Sequence, residues 1–197
     1  MGSPQVRARY MQTFLAHVQA LSPSDRDAVL ADIGPASVAA ITASRSFLAW
    51  LPVERNLDAT RAVARQLGPK RTHAFFVRLQ AKTLESPLFD WVRRNADLLL
   101  GPDPARALKW IARAYSLMFA NAGTWVVTGV DQNGASLEMR GVPSMMLQER
   151  VWLDSVSSAL HALFRDPRTE GSVNLVDVVP EAGRATFRMR WFVDPEM

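Results

Sequence analysis

Apolar residues recur every three or four positions through the first half of the chain, which is the spacing of amphipathic helices. Capping residues, prolines and glycines divide this half into separate segments. They predict helices from about Pro4 to Leu21, from Ser22 or Ser24 to Gly34, after Pro35, from Asn56 or Asp58 to Gly68, from Pro69 onward, from Ser86-Pro87 to Gly101 and, the longest, from Asp103-Pro104 to Asn121. The less regular segment Phe47–Leu57 is predicted to be a connector.

After Gly123 the spacing of apolar residues changes to two, which is typical of strands. Thr124–Val130 is rich in residues that favour strands. The Asn133-Gly134 pair is a strong hairpin signal and predicts that the chain returns through Ala135–Gly141. A helix is expected next, from about Met145 to Phe164.

A second hairpin is predicted to pair Ser172–Val179 with Arg184–Phe192. In its last strand the apolar side chains point one way and the polar ones the other, so one face is expected in the core and one in solvent. The apolar set is Ala185, Phe187, Met189 and Trp191. Two hairpins flanking a helix predict one four-stranded antiparallel sheet of ββαββ order, packed against the helical N-terminal half. The expected fold class is α+β in a single domain, 1–197, with a helical region over residues 1–122 and a ββαββ region over residues 123–192.

Composition narrows the class of protein further. The chain has 197 residues, 48% of them hydrophobic and 21% charged, which is enough to build a sizeable core. It has no cysteine, so disulfides, thiolate catalysis and cysteine-bound metal are excluded. The N-terminus lacks the apolar stretch of a secretory signal, and no uncharged segment is long and apolar enough to span a bilayer. These features predict a cytoplasmic protein without a membrane span.

The positive charge is modest and comes mainly from arginine. The pI is about 10.1 although the net charge is only +4, because arginine stays protonated to very high pH. The sequence contains no basic cluster of the kind used to bind nucleic acid, so nucleic-acid binding is not favoured. Arginines do share the predicted outer sheet face, which is either a solvated surface or a surface for an anion or an acidic partner. They are Arg140, Arg184, Arg188 and Arg190.

The candidates for catalysis are few. His17, His73 and His161 are the only histidines, and no two lie within one helical turn. Each is interpreted as an edge or structural histidine rather than a metal or haem ligand. The sequence has no nucleophile elbow, glycine-rich phosphate loop or carboxylate pair in an apolar setting. We therefore predict no catalytic residue, no metal site and no cofactor.

The chain has more aromatic residues than the predicted core requires, and they suggest two kinds of binding surface. A small apolar ligand is expected to contact His73, Phe76, Tyr115, Trp152, Met189 and Trp191. The predicted helix 104–121 is apolar on two sides, since Trp110 and Leu117 point away from its main stripe. Such a helix is either sandwiched within the fold or presents Trp110 and Leu117 to a second protomer.

Three segments carry a resemblance to known proteins: Leu-Ala-Asp-Ile-Gly at 30–34, Leu-Asp-Ala-Thr-Arg-Ala-Val-Ala-Arg-Gln-Leu-Gly at 57–68 and Ala-Thr-Phe-Arg-Met-Arg-Trp at 185–191. With the order of helices and ββαββ, the chain resembles the vinyl-reductase-type and haem-NO-binding-like domains. In particular it resembles a myxobacterial family of paralogues of about 200 residues and unknown function. The resemblance implies this α+β fold and a sensory or scaffold role.

The chain departs from that group where cofactors bind. Haem-binding members carry a Tyr-x-Ser-x-Arg motif and a proximal histidine, whereas the tyrosines here, Tyr10 and Tyr115, lie in no such motif. Vinyl-reductase-type domains commonly have cysteines in the ββαββ region, and this chain has none. Haem and metal binding are therefore not expected to carry over.

The leading hypothesis is a non-enzymatic regulatory or sensory domain that binds a small apolar ligand or a protein partner, with a homodimer as one form. An enzyme, either a hydrolase or a reductase, is the first alternative. It requires His73 or His161 in a pocket beside a carboxylate. Nucleic-acid or anion binding through the arginine-rich sheet face is the second.

Overall fold

The computed structural model describes residues 2–44, 46, 48–85, 108–164 and 169–193. Helices dominate the first half of the chain, and two hairpins and a helix form the second. The elements are β1 (Gln5–Arg7), α1 (Ala8–Gln19), α2 (Pro23–Ile33), α3 (Pro35–Ala43), β2 (Trp50–Pro52), α4 (Glu54–Leu84), a 3-10 turn (Leu108–Trp110), α5 (Ile111–Met118), β3 (Phe119–Ala120), β4 (Thr124–Asp131), β5 (Gly134–Arg140), α6 (Ser144–Leu147), α7 (Arg150–His161), β6 (Thr169–Val179), a second 3-10 turn (Pro180–Ala182) and β7 (Arg184–Val193).

Local chemistry determines the two ends of α2 and the break within α4, and there the predicted boundaries agree with the structure. The start of α4 differs: it begins at Glu54, before the predicted Asn56 or Asp58. Ser22 caps α2 by accepting a hydrogen bond from the backbone N–H of Asp25, and Gly34 ends the helix with a φ of 84°. Within α4, Gly68 has φ 71° and ψ 170°, so a helix ends there and a second begins at Pro69. The two helices predicted on either side of Gly68 are thus confirmed as the two halves of kinked α4.

A small three-stranded sheet, in the order β2-β1-β3, was not anticipated from the sequence. Its three strands change three predicted boundaries. Helix α1 begins at Ala8 rather than Pro4, and the predicted helix 104–121 ends at Met118. The predicted connector Phe47–Leu57 contains β2 and the start of α4. The physical reason is long-range pairing, because Val6 lies opposite both Leu51 and Phe119. The predicted helix Ser86–Gly101 and the start of the next one lie outside the described residues.

The predicted four-stranded antiparallel sheet is confirmed, with strand order β4-β5-β7-β6. The Asn133-Gly134 turn joins β4 to β5, and Leu137 lies opposite Phe187, which lies opposite Leu175. The inner residues of β7 are buried as expected, and its arginines are exposed.

The sheet is covered by α7, which packs against both β6 and α4. The predicted helix Met145–Phe164 is divided into α6 and α7, because the backbone leaves helical geometry at Glu149. The Glu149 carboxylate accepts hydrogen bonds from the Arg61 guanidinium at 2.5 and 2.9 Å and so joins α4 to the start of α7. Within the described ranges, no helix is long and apolar enough to cross a bilayer.

Candidate functional site

Aromatic rings pack on one another between the described helices and the inner face of the sheet. Tyr115 stacks on Phe119 with ring centres 4.9 Å apart, and Trp125 lies 5.3 Å from Phe187 and 6.2 Å from Tyr115. Phe119 also meets Trp152 at 6.5 Å. We call these five rings the seam: each is at most 8% exposed.

The seam contains one phenol, and it is already hydrogen bonded. The Tyr115 hydroxyl donates to the carbonyl oxygen of Ala122 at 3.0 Å. Burial, and to a smaller degree the neighbouring Tyr10, raises the pKa of Tyr115 far above its usual value. Tyr115 is therefore a neutral donor that fixes the turn after α5, and no phenolate is available to a ligand.

The residues expected to contact an apolar ligand have different neighbours in the structure. Tyr115 and Trp152 belong to the seam and are linked by Phe119. Phe76 packs against Phe14 and Phe75 instead, and Trp191 packs against Phe164. Met189 is fully buried on the inner face of β7, and His73 is exposed. Five of these six side chains thus contribute to the core.

The residues proposed from sequence for a protomer interface, Trp110 and Leu117, are both half-buried and pack against the core. The backbone around them is held by Arg7, whose Nε donates to the carbonyl oxygen of Leu117 at 3.2 Å. The Arg7 guanidinium also donates to the carbonyl oxygen of Leu48 and lies 3.5 Å from the ring centre of Trp50. Both residues thus have contacts within the fold, and their role at an interface between two protomers stays a prediction.

His73 and His161 come together where α4 crosses α7, and we call them the histidine pair. Their ring centres are 5.2 Å apart and their planes are nearly perpendicular, at 83°. His73 Nδ1 lies 2.9 Å from the Ser158 hydroxyl, which donates to the carbonyl oxygen of Asp154 at 2.8 Å. Burial lowers the pKa of the half-buried His161, and the nearby His73 lowers it further.

This geometry does not fit hydrolytic chemistry. The only hydrogen of the Ser158 hydroxyl is donated to a backbone carbonyl, so the oxygen accepts from His73 and is not activated by it. Ser158 is also buried. In the described segments of the chain, neither histidine of the pair has a carboxylate hydrogen bonded to it, which the enzyme hypothesis requires.

The third histidine lies elsewhere, on α1. The His17 ring meets that of Phe75 at 4.7 Å. Burial lowers the pKa of His17, and Arg78 and Lys82 lower it further. Among the residues that the structure describes, no three histidine or carboxylate side chains lie close enough to hold a metal ion together.

The four arginines on the outer face of the sheet fall into two groups. Arg140 pairs with Glu138 at 2.5 Å, and Arg184 pairs with Asp177 at 3.4 Å. Arg188 and Arg190 make no ion pair with any described residue and are exposed. This division leaves little free positive charge for the phosphates of a nucleic acid.

Phe192 follows the two unpaired arginines on the same outer face of β7 and is 62% exposed. We call Arg188, Arg190 and Phe192 the outer row. Beside it, Arg188 lies opposite Ser136 and Arg190 lies opposite Gly134 on β5. Because these neighbours have small side chains or none, a shallow groove of about 450 Å³ runs along the two arginines. Asp131 borders its end, where one of its carboxylate oxygens accepts a hydrogen bond from the Asn133 backbone N–H.

The order of helices, the four-stranded sheet and its packing define the fold of the H-NOX domains, the haem-NO-binding class to which a resemblance was noted. No family model and no curated protein matches the sequence. Solved H-NOX structures match over nearly their whole length. A mutant of T. tengcongensis H-NOX has a TM-score of 0.61 at 11% identity, covering 96% of this chain and 99% of that one. Fe(II) unliganded H-NOX from K. algicida gives 0.61 and 11%, with 97% and 99% covered. At such identities the likeness establishes the fold alone.

The described side chains of the seam supply no ligand for a haem iron. None of the three histidines belongs to the seam: His17 faces Phe75, and the other two form the pair between α4 and α7. The chain has no cysteine, and the seam phenol is hydrogen bonded and neutral. The rings of the seam contact one another across the space between helices and sheet. Imidazole, thiolate and phenolate ligands are therefore all missing from the seam.

Proposed function

We propose that this chain is a non-enzymatic regulatory domain that uses the H-NOX fold without haem and recognises an acidic segment of a protein partner. The observation that carries the proposal is the seam, whose aromatic side chains pack on one another between helices and sheet and offer no axial ligand. Solved H-NOX domains correspond to the chain almost from end to end, which supports a regulatory role on the same scaffold. In this proposal the chain binds its partner on the outer surface of the sheet and binds no haem between the helices and the sheet.

The outer row supports a protein partner of acidic character. Arg188 and Arg190 are two exposed guanidinium groups without a partner in the described structure, and guanidinium groups bind carboxylates in bidentate geometry. Phe192 adds an exposed aromatic ring beside them. Arginine and aromatic residues are enriched where proteins bind each other. The groove beside the arginines gives an extended segment room to lie along β7.

A small apolar ligand is the second form of the regulatory hypothesis. It would have to displace side chains of the seam, since Trp152 and Tyr115 are buried against neighbouring rings. Displacing packed aromatic rings forfeits their contacts, which makes this form less favourable than binding at the outer row. Native mass spectrometry of the purified protein distinguishes ligand binding from partner binding, because an apolar molecule that co-purifies with the chain would support the ligand-binding form of the hypothesis.

The haem-free state is tested by titrating haemin into the purified chain, with apomyoglobin as the positive control. We expect no sharp Soret band and no one-to-one uptake, because the seam supplies no axial ligand and its rings pack on one another. Native mass spectrometry of the same mixture should show the protein at its own mass. A stoichiometric haem complex would overturn the proposal.

Partner recognition is tested with a fluorescein-labelled peptide of alternating glutamate and phenylalanine, followed by fluorescence anisotropy. We expect binding that weakens as salt is added, because exposed charges are screened. In the double variant Arg188→Glu/Arg190→Glu, affinity should fall by at least about tenfold, since two attractive contacts become repulsive. The same variant should gain affinity for a lysine–phenylalanine peptide.

The control for this experiment changes the charge equally at a distant surface. Lys70→Glu/Arg150→Glu alters α4 and α7, and both residues are exposed. Its affinity for the acidic peptide should stay close to that of the parent protein. Failure of the parent to bind the acidic peptide, or an equal loss in both double variants, would rule out the outer row as the recognition surface.

A further inference from the structure

From the geometry of the histidine pair we infer that His73 and His161 form a binding site for a divalent transition metal ion such as Zn²⁺, bridging α4 and α7. The inference does not depend on the proposed function, which concerns the opposite face of the sheet. It rests on the spacing of the two rings, on the hydrogen bonds that orient one of them, and on the access to solvent that the site retains.

The separation of the two rings suits a shared metal ion. Zinc binds imidazole nitrogen at about 2 Å and prefers tetrahedral geometry. Two imidazoles on one such ion have ring centres roughly 5 Å apart, allowing for the distance from each nitrogen to its ring centre. The ring centres of His73 and His161 are 5.2 Å apart before any metal is added. The two helices therefore already hold the rings at the spacing that a shared metal ion requires.

A hydrogen-bond chain selects the ligand atom of His73. The Ser158 hydroxyl donates its hydrogen to the carbonyl oxygen of Asp154, so its oxygen accepts from His73, and Nδ1 must carry the proton. That assignment leaves the lone pair of Nε2 free. Histidines that bind metals generally donate their other ring N–H in this way, and the donation fixes the tautomer and orients the ring.

The chemistry of the site determines which ions suit it. Two imidazoles favour zinc, copper, nickel or cobalt, whereas magnesium and calcium require oxygen ligands. His73 is exposed and His161 is half-buried, so water can complete the coordination. With two protein ligands, affinity should be weaker than at a closed structural zinc site with four. Binding would join the helical region of the chain to the helix that covers the sheet.

The site is tested with the chain freed of any histidine tag and treated with EDTA. Zinc chloride is titrated by calorimetry, and the ring protons of the histidines are followed by NMR. Because the chain has only three histidines, each can be resolved. We expect one saturable site, movement of the signals of His73 and His161, and no movement for His17. At a zinc concentration 100 times Kd, Tm should rise by roughly 5 °C or more.

Four variants make the result specific. His73→Gln and His161→Gln should each weaken zinc binding by at least about tenfold, whereas His17→Gln on α1 should leave it unchanged. Ser158→Ala keeps both imidazoles but removes the acceptor that fixes the tautomer of His73. It should weaken binding by about tenfold and alter the ¹⁵N shifts of that ring, which report the protonated nitrogen.

Several outcomes would overturn the inference. They are the absence of saturable zinc binding by the parent chain, unchanged affinity in His73→Gln, or an equal loss in the His17→Gln control. Circular dichroism on each variant separates a lost metal site from a lost fold. The fold should survive, because all three glutamine substitutions lie at exposed or partly exposed positions.

Discussion

The properties of the histidines are set by neighbours that lie far away in the sequence. His17 is half-buried beside Phe75, with Arg78 and Lys82 close enough to disfavour its charged form. His161 is half-buried beside the other histidine of the pair. From the sequence, each was interpreted as an edge or structural histidine, and the pairing was missed because no local spacing connects the two residues. The two histidines become neighbours only because α4 packs across α7 in the folded chain.

These histidines give the protein a defined pH dependence. The pKa of both His17 and His161 is lowered in the folded state, so the unfolded chain takes up protons first as pH falls below about 6.5. The contribution of these two histidines to the free energy of unfolding should therefore be fully present above that pH. It should decrease as pH falls to 5.5. We expect the double variant His17→Gln/His161→Gln to lose most of this slope, as measured by urea unfolding at pH 5.5, 6.5 and 7.5 in EDTA.

Asp32→Asn serves as the control for this measurement. The Arg65 side chain holds the pKa of Asp32 below its usual value of 3.8, so the contribution of this carboxylate is already complete at pH 5.5. The variant should change stability by the same amount at all three pH values. A double histidine variant with the slope of the parent would contradict the assignment.

Elements defined by local signals were predicted well, and elements defined by distant pairing were not. The Asn133-Gly134 turn and the alternating residues of β7 identify their hairpins without further information. Strands β1, β2 and β3 are only two or three residues long and have no alternation to detect. Their existence depends on partners that the fold brings together, so no local pattern could have revealed them.

The kink in α4 provides a test at this scale. Gly68 combines φ 71° with ψ 170°, a conformation open almost only to glycine, and an added Cβ would meet no atom within 4 Å. Gly68→Ala should therefore destabilise the protein by about 1–3 kcal/mol through backbone strain alone. Thermal unfolding followed by circular dichroism should show Tm lowered by several degrees.

Gly129→Ala is the matched control, since its added methyl also meets open space but its φ is not positive. Its Tm should stay near that of the parent or rise slightly, because alanine restricts the unfolded chain. If both variants lost the same stability, backbone strain at Gly68 would not be the cause.

At the scale of the whole molecule, the α+β class and the ββαββ order were predictable, and so was the general likeness to haem-NO-binding domains. The ligand site was harder to assess. Tyr115 and Trp152 are aromatic residues on amphipathic helices, and sequence alone cannot say whether such rings line a cavity or fill it. The structure places them in contact through Phe119. The single domain, the homodimer and the cytoplasmic location stay predictions.

The small sheet has a consequence for the way the chain is made. In β1, Val6 finds one partner at Leu51 and the other at Phe119. During synthesis from the N-terminus, one edge of β1 therefore stays unpaired until Phe119 has left the ribosome. The hydrogen bond from Arg7 to the Leu117 carbonyl oxygen likewise forms only after Leu117 has been synthesised. The helical region can thus complete its own sheet only when translation has passed the end of α5, just before the first hairpin is made.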